Sequence, residues 1–345
     1  MNSAIIVHPD LEAHWSFAAD YAYRKWNEQS PTELIRLEPA DRRRAGEILT
    51  NPDEIVRLIS WGAPFTEACL DALPALKEVA FQDGAYGSAV STGMTERGIR
   101  SYTHPTEGFW GQSVSEFGLA LTLCGLRRIP QTHHQIITDL TPWDYSPAGG
   151  TGRPGQRAHQ YGDDSRFTSG TVEGKRIRIV GAGNIASRYA SFVRMLGADV
   201  AVWDPFASEP CFHRAGSRRE YHLDRLPLDA EIFVPMIPLK DSTRGIVTAA
   251  HIDSLPKGCL VVLVTRAGIC DVPALRHRVL ADELALAADV FDIEPLLLDD
   301  LLLGRHNVVH TPHNAGRTRQ ANEQWAEAIL TQFAPVFIRS SEGEA

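Results

Sequence analysis

The stretch Arg176-Ile177-Arg178-Ile179-Val180-Gly181-Ala182-Gly183-Asn184-Ile185-Ala186 restricts the fold of this chain more than any other segment. An apolar strand runs straight into a GxGxxA turn, and a helical pattern from Asn184 to Leu196 follows. The first glycine permits a tight turn, the second lets the backbone approach a pyrophosphate, and the small third residue allows close packing of helix on strand. A helix N-terminus placed this way presents free amide hydrogens and a partial positive charge to phosphate. The next apolar run, Val200 to Trp203, ends in Asp204, about 20 residues past the turn, where a carboxylate accepts ribose hydroxyls. The same charge repels a 2'-phosphate, so the pattern favours NAD over NADP. Without that context the glycines would read as ordinary turn punctuation.

Further strands are predicted at Glu231–Val234, Leu260–Val264, Ala285–Val290 and Asn307–Thr311, which brings this sheet to six strands. Upstream, Ala4–Val7, Glu33–Leu37, Ile55–Ile59 and Leu76–Phe81 read as strands, with helix from Leu11 to Trp26. Strands alternating with helices predict a second parallel α/β sheet, whose carboxyl edge would carry the loop Gly84-Ala85-Tyr86-Gly87. A long helix is expected from Glu107 to Arg128. The Pro/Gly-rich stretch from Thr141 to Gly170 reads as an excursion within one domain.

At 345 residues the chain suits two domains, and 43% hydrophobic with 22% charged residues belongs to the globular class. A net charge of −9 argues against a nucleic-acid surface, and the basic cluster Arg42-Arg43-Arg44 reads as a solvated face. No apolar run is long enough to span a bilayer and the start, Met1 to Asp10, lacks a signal pattern, so a cytoplasmic location away from membranes is expected. The five cysteines show no CxxC spacing, and neither disulfides nor a thiolate zinc site are expected.

Three segments at the ends of later strands carry chemistry. Leu263-Val264-Thr265-Arg266-Ala267-Gly268 places a guanidinium past one strand, Asp289-Val290-Phe291-Asp292-Ile293-Glu294-Pro295 places carboxylates past the next, and Thr311-Pro312-His313-Asn314-Ala315-Gly316 places an imidazole past the last. Reduction of a 2-oxo acid needs a carboxylate anchor, a proton donor and a nearby hydride. Arginine's planar fork suits the first, histidine the second, and a carboxylate beside the histidine favours imidazolium and fixes the ring. Each residue alone also fits a structural part: a surface cation, a turn acid, a packed histidine. The spacing of His306, His310 and His313 raises a metal hydrolase, but nothing matches the helical HExxH arrangement and no metal is expected. An NAD(H)-sensing binding or corepressor-like protein on the same fold is the alternative of a different class.

The run from Gly181 to Gly316 resembles the D-isomer-specific 2-hydroxyacid dehydrogenases, a family that includes glyoxylate/hydroxypyruvate reductases and phosphoglycerate dehydrogenases. GAGNIA, WDP, IPLKDSTRGIV, LVTRAG, ADVFDIEP and TPHNAG carry the resemblance, with Glu96–Ile99 and Ser113–Glu116 upstream. The resemblance implies two Rossmann-like doubly wound parallel-sheet domains. Residues 1–106 and 316–345 would form a discontinuous, flavodoxin-like substrate domain, and residues 107–315 the NAD-binding domain. It implies that Arg266 binds the substrate carboxylate, that Glu294 pairs with His313, and that His313 is the acid/base. Gly181, Gly183, Asn184, Ile185, Asp204, Thr265 and Asp289 would contact the cofactor, Asp289 through the nicotinamide amide, while Tyr86 and Gly87 would contact a small 2-oxo or 2-hydroxy acid. A homodimer is the family expectation. Departures stand at Val264 and Ala267, where the family often has Asn and Gly, at Val90 in place of an Asp, and at Met236-Ile237, where His often precedes the Pro-Leu step. They bear on substrate preference and leave Arg266, Glu294 and His313 in place.

Overall fold

The computed structural model of the chain describes residues 2–82, 86–104, 109–138, 142 and 162–335. It divides into two compact units, residues 1–109 with 317–345, and residues 110–316.

In the first unit, strands β1 (Asn2–Val7), β2 (Thr32–Arg36), β3 (Ile55–Trp61), β4 (Glu78–Phe81) and β5 (Arg100–Tyr102) form one parallel sheet in the order β2-β1-β3-β4-β5. This is the flavodoxin-like order. Central β1 is buried on both faces, as parallel sheets covered by helices require. Ala4 and Ile6 pack toward Leu58, Leu70 and Val79, while Ile5 and Val7 pack toward Trp26, Trp61 and Trp325. Trp325 comes from the helix Arg319–Leu330, so the C-terminal segment completes the core of the unit that begins the chain.

Two sequence expectations change here. The helix foreseen from Leu11 to Trp26 is two helices, Pro9–His14 and Ala18–Asn27, because Phe17 adopts a left-handed backbone with φ of 71°. The short strand β5 was not foreseen; at three residues it carries too little apolar pattern to stand out.

The second unit holds β6 (Arg176–Val180), β7 (Asp199–Trp203), β8 (Arg218–Glu220), β9 (Ile232–Pro235), β10 (Leu260–Leu263), β11 (Ala285–Ala288) and β12 (Val308–His310). Their order is β12-β11-β10-β9-β6-β7-β8, all parallel. Counted from β6, this is the doubly wound dinucleotide-binding order with a seventh strand added beyond the sixth. The expectation of six strands is therefore corrected to seven. β8 escaped notice because Arg218-Arg219-Glu220 is an edge strand without an apolar side chain. Ile177 and Ile179 face one core and Val180 the other, so β6 sits in the middle of the sheet with both faces covered.

The helix expected from Glu107 to Arg128 spans Phe109–Arg127; Arg128, at φ of 52°, ends it, and a second helix runs from Ile129 to Thr138. Of the Thr141–Gly170 excursion, residues 141 and 143–161 lie outside the described residues. Its end is anchored by Thr168, whose backbone N–H donates to Gly258 at 2.8 Å. No helix among the described residues is long and apolar enough to cross a membrane.

Candidate active site

The glycine turn is built as its sequence requires. Gly181 has φ of 111°, and a β-carbon there would lie 2.6 Å from the Met236 carbonyl oxygen and 2.7 Å from Ile237 Cγ2. Only glycine fits both the backbone angle and the space. Gly183 differs: its backbone is extended, and a β-carbon there would meet nothing within 4 Å. The space above the second glycine is thus open, which suits a pyrophosphate. Gly183 also N-caps the helix Asn184–Met195 without any side-chain cap hydrogen bond, so the amides of Asn184 and Ile185 head the helix with no side chain over them. Ala186 is buried where helix meets strand. These residues fit a dinucleotide.

Asp204 does more than wait for a ribose. One carboxylate oxygen accepts the Ala182 N–H at 2.8 Å, and the other accepts those of Phe206 at 2.9 Å and Ala207 at 3.0 Å. It ties the end of β7 to the turn after β6. Replacing Asp204 with Asn keeps the side chain's shape and removes its charge. The preference for NADH over NADPH, read as a ratio of kcat/KM values, is expected to fall by about tenfold or more, the effect of one lost repulsion. An unchanged ratio would remove the discriminating part and leave the structural one.

The remaining groups stand past β10, β11 and β12, on the carboxyl edge that also bears the glycine turn. From β6 to β11 is three strand spacings along that edge, about 15 Å. Arg266 is exposed, and its one hydrogen bond among the described residues runs from Nη1 to the Thr265 carbonyl at 2.7 Å. The rest of its fork is open to an anion. Thr265 is nearly buried, with its hydroxyl 3.5 Å from the Pro235 carbonyl.

Glu294 and His313, 19 residues apart in sequence, meet at 2.6 Å between Oε2 and Nδ1. The other carboxylate oxygen accepts the Phe291 N–H at 2.7 Å. With an ionised Glu294 taking the Nδ1 hydrogen, the ring's orientation and tautomer are set, and Nε2 is left to exchange a proton. About a third of each side chain is solvent-accessible (37% for His313 and 33% for Glu294), so the pair is reachable.

Asp289 is placed differently from what the resemblance implies. It is fully buried, and its carboxylate accepts three hydrogen bonds from the histidine loop: Thr311 Oγ1 at 2.6 Å, Asn314 N at 3.0 Å and Ala315 N at 2.9 Å. His313 lies inside that arc with φ of 53°, a strained value for a side-chain-bearing residue. Asp289 therefore holds the turn that presents the imidazole. An asparagine in its place would offer one acceptor fewer and turn an NH2 toward N–H donors, at a cost of about 1–3 kcal/mol. Both the melting temperature and kcat of Asp289→Asn are expected to fall. Wild-type values for both would show that the loop holds itself. Sequence alone pointed to this aspartate as a ligand contact; nothing in the pattern revealed its three donors.

His306 and His310 do not join His313. His306 lies 3.3 Å from Asp282, and His310 faces the Gly304 N–H at 3.5 Å. Among the described residues no three His, Cys, Asp or Glu side chains group as metal ligands. In the first unit, Tyr86 follows β4, its hydroxyl 3.2 Å from Ser101 Oγ and its ring 4.6 Å from that of Phe81. Gly87 caps the helix Ser88–Glu96, and residues 83–85 lie outside the described residues.

Residues 150–315 match the family described as D-isomer specific 2-hydroxyacid dehydrogenase, NAD binding domain. The chain carries a D-isomer specific 2-hydroxyacid dehydrogenase NAD-binding domain. Relatives of the whole sequence agree. A D-3-phosphoglycerate dehydrogenase of Archaeoglobus fulgidus is 28% identical over 228 residues, covering 66% of this chain and 39% of that protein. An (S)-sulfolactate dehydrogenase of Chromohalobacter salexigens is 31% identical over 154 residues, covering 44% of this chain and 50% of the relative. The chain spans from 39% to 53% of the length of three phosphoglycerate dehydrogenases that it matches. In fold, it is similar to the NAD-complexed D-isomer specific 2-hydroxyacid dehydrogenase of Lactobacillus delbrueckii ssp. bulgaricus, with a TM-score of 0.68, 15% identity and coverage of 96% of both chains. A D-lactate dehydrogenase of Treponema pallidum gives a TM-score of 0.64 at 16% identity, over 96% of this chain and 95% of the other. The glycine turn, Asp204, Arg266, Glu294 and His313 all fall inside the matched NAD-binding domain.

Proposed function

We propose that this chain is an NAD-dependent 2-hydroxyacid dehydrogenase that reduces a small 2-oxo acid, and in reverse oxidises the 2-hydroxy acid. The observation that carries this reading is the 2.6 Å contact of Glu294 with His313 on the sheet edge that bears the glycine turn. A structural ion pair needs neither that edge nor an imidazole held at a strained backbone angle.

The residues divide the work as follows. Arg266 binds the substrate carboxylate through the open part of its fork and so orients C2. NADH, when bound, supplies the hydride to that carbon. As charge develops on the carbonyl oxygen, His313 donates the Nε2 proton to it, and Glu294 balances the imidazolium through Nδ1. In the oxidative direction His313 takes the hydroxyl proton. Asp204 is assigned to the adenosine ribose, and the amides of Gly183, Asn184 and Ile185 to the pyrophosphate.

The same reading makes residues 107–315 the cofactor domain and residues 1–106 with 316–345 the substrate domain. It also carries a cytoplasmic location, supported by five free cysteines, and a homodimer, supported by Ile129, Ile136 and Ile137 exposed on one helix. The test is oxidation of NADH in the presence of glyoxylate, hydroxypyruvate, pyruvate and bulkier 2-oxo acids. Saturable turnover with at least one is expected. Tight NADH binding with no turnover on any of them would favour a sensor and end the enzymatic reading.

A further inference from the structure

The Arg42-Arg43-Arg44 cluster does not act as one face. Arg43 pairs with Asp41 and Arg44 with Glu47, whereas Arg42 turns into a cleft of about 350 Å³ in the first unit. The cleft opens at the carboxyl ends of β1 and β3, and His8, His14, Arg42, Gly62 and Gln82 are among its lining residues. In the sheet order β2-β1-β3-β4-β5 the chain's crossovers part at β1 and β3, the place where open α/β sheets bind ligands.

His8 is the unusual group. Its side chain is only 8% exposed, and Gly62 makes room for it: a β-carbon at Gly62 would come 2.6 Å from His8 Cβ. Nδ1 accepts the Asp10 N–H at 3.2 Å, which caps the helix Pro9–His14. In that tautomer Nε2 carries the ring hydrogen, and it faces Arg42 Nη1 at 3.3 Å, a donor against a donor. If Nδ1 instead donates to the Asp10 carboxylate at 3.3 Å, Nε2 is a lone pair, yet Nη1 has no hydrogen left for it. Both Nη1 hydrogens go to the Pro39 and Asp41 carbonyls, each at 2.8 Å. In neither state does this buried nitrogen have a fitting protein partner, and a buried polar atom left so is costly.

An acceptor oxygen in the cleft resolves the conflict, because it takes the Nε2 hydrogen while the guanidinium charge attracts it. Arg42 Nε and Nη2 make no hydrogen bond among the described residues and complete a fork for such an oxygen. Of the two acids on the rim, Asp41 is committed to Arg43, whose hydrogen bonds hold its carboxyl down at about 2, and Asp10 approaches the imidazole from its Nδ1 side.

We propose that this cleft is a binding site for a small oxyanion (phosphate, sulfonate or carboxylate) gripped by Arg42 and the Nε2–H of His8. The site is formed within the first unit and does not depend on the hydride chemistry assigned above. The charge could arrive as a free inorganic ion or as the anionic end of a metabolite.

The test is residue-resolved NMR of the histidine rings in the full chain, saturated with NAD, titrated separately with inorganic phosphate and with glycerol phosphate. Saturable movement of the His8 ring signals is expected, and Arg42→Gln, an exposed substitution that leaves the core alone, should weaken it by about tenfold or more. Phosphate alone moving His8 identifies a free ion as the natural occupant; tighter binding of the ester identifies a metabolite. A His8 ring that no titrant moves, or one that responds equally in Arg42→Gln, overturns the proposal.

Discussion

Replacing His313 with alanine is expected to lower kcat by roughly 10²–10⁴-fold, the usual range for a positioned proton donor, with the Kd for NADH nearly unchanged. The imidazole stands past β12, whereas the glycine turn stands past β6 on the far side of three intervening strands. Its loss therefore leaves the dinucleotide's anchorage intact and removes only the proton. Steady-state kinetics with NADH titrated by fluorescence separate the two readings. A variant that turns over like the wild type would dismiss His313 as the acid/base.

Glu294→Gln makes a subtler companion. The carboxylate serves two donors, the Phe291 N–H and the His313 Nδ1–H, with one oxygen each. A glutamine has a single acceptor oxygen and no charge, so one donor goes unserved and the imidazolium loses its partner. Its kcat should fall less than that of His313→Ala, with the pH profile displaced as well. A loss of folding stability alone, without a displaced profile, would assign Glu294 a structural part.

The second large effect is expected at Gly181. Alanine there must place a β-carbon 2.6 Å from the Met236 carbonyl oxygen on a backbone at φ of 111°. The angle alone costs of order 1–3 kcal/mol and the crowding a similar amount. The turn can yield only by moving away from β9, which carries the Ala182 amide off the Asp204 carboxylate. NADH affinity should fall by about tenfold to a hundredfold, together with a lower melting temperature. Gly183→Ala provides the contrast, since a β-carbon there clashes with no protein atom. It should keep the melting temperature and lose affinity only, by filling the space reserved for the pyrophosphate. Equal behaviour of the two variants in both measurements would contradict the division of labour between the glycines.

What the sequence made legible follows from where its patterns are strong. Central strands such as β6 and β10 are buried on both faces, so their residues are largely apolar and stand out. The chemical residues stood out because each follows such a strand directly. Edge strand β8 lacks that signature, since its side chains, Arg218, Arg219 and Glu220, owe nothing to a core. The break at Phe17 was hidden because a left-handed residue interrupts a helix without disturbing its apolar spacing. Asp289 and His8 were opaque for another reason. Their roles depend on hydrogen bonds to atoms brought together by folding, three backbone or hydroxyl donors for Asp289 and a mismatched guanidinium for His8. Sequence spacing records residue types, and it says nothing of which donors will point at them.

The most direct measurement is a crystal structure with NADH and an unreactive 2-oxo acid analogue bound together. The account predicts the nicotinamide C4 about 3–3.5 Å from the analogue's C2. It also places Arg266 across the carboxylate and His313 Nε2 within hydrogen-bond reach of the carbonyl oxygen. A nicotinamide ring resting elsewhere, with Arg266 and His313 touching neither ligand, would contradict it.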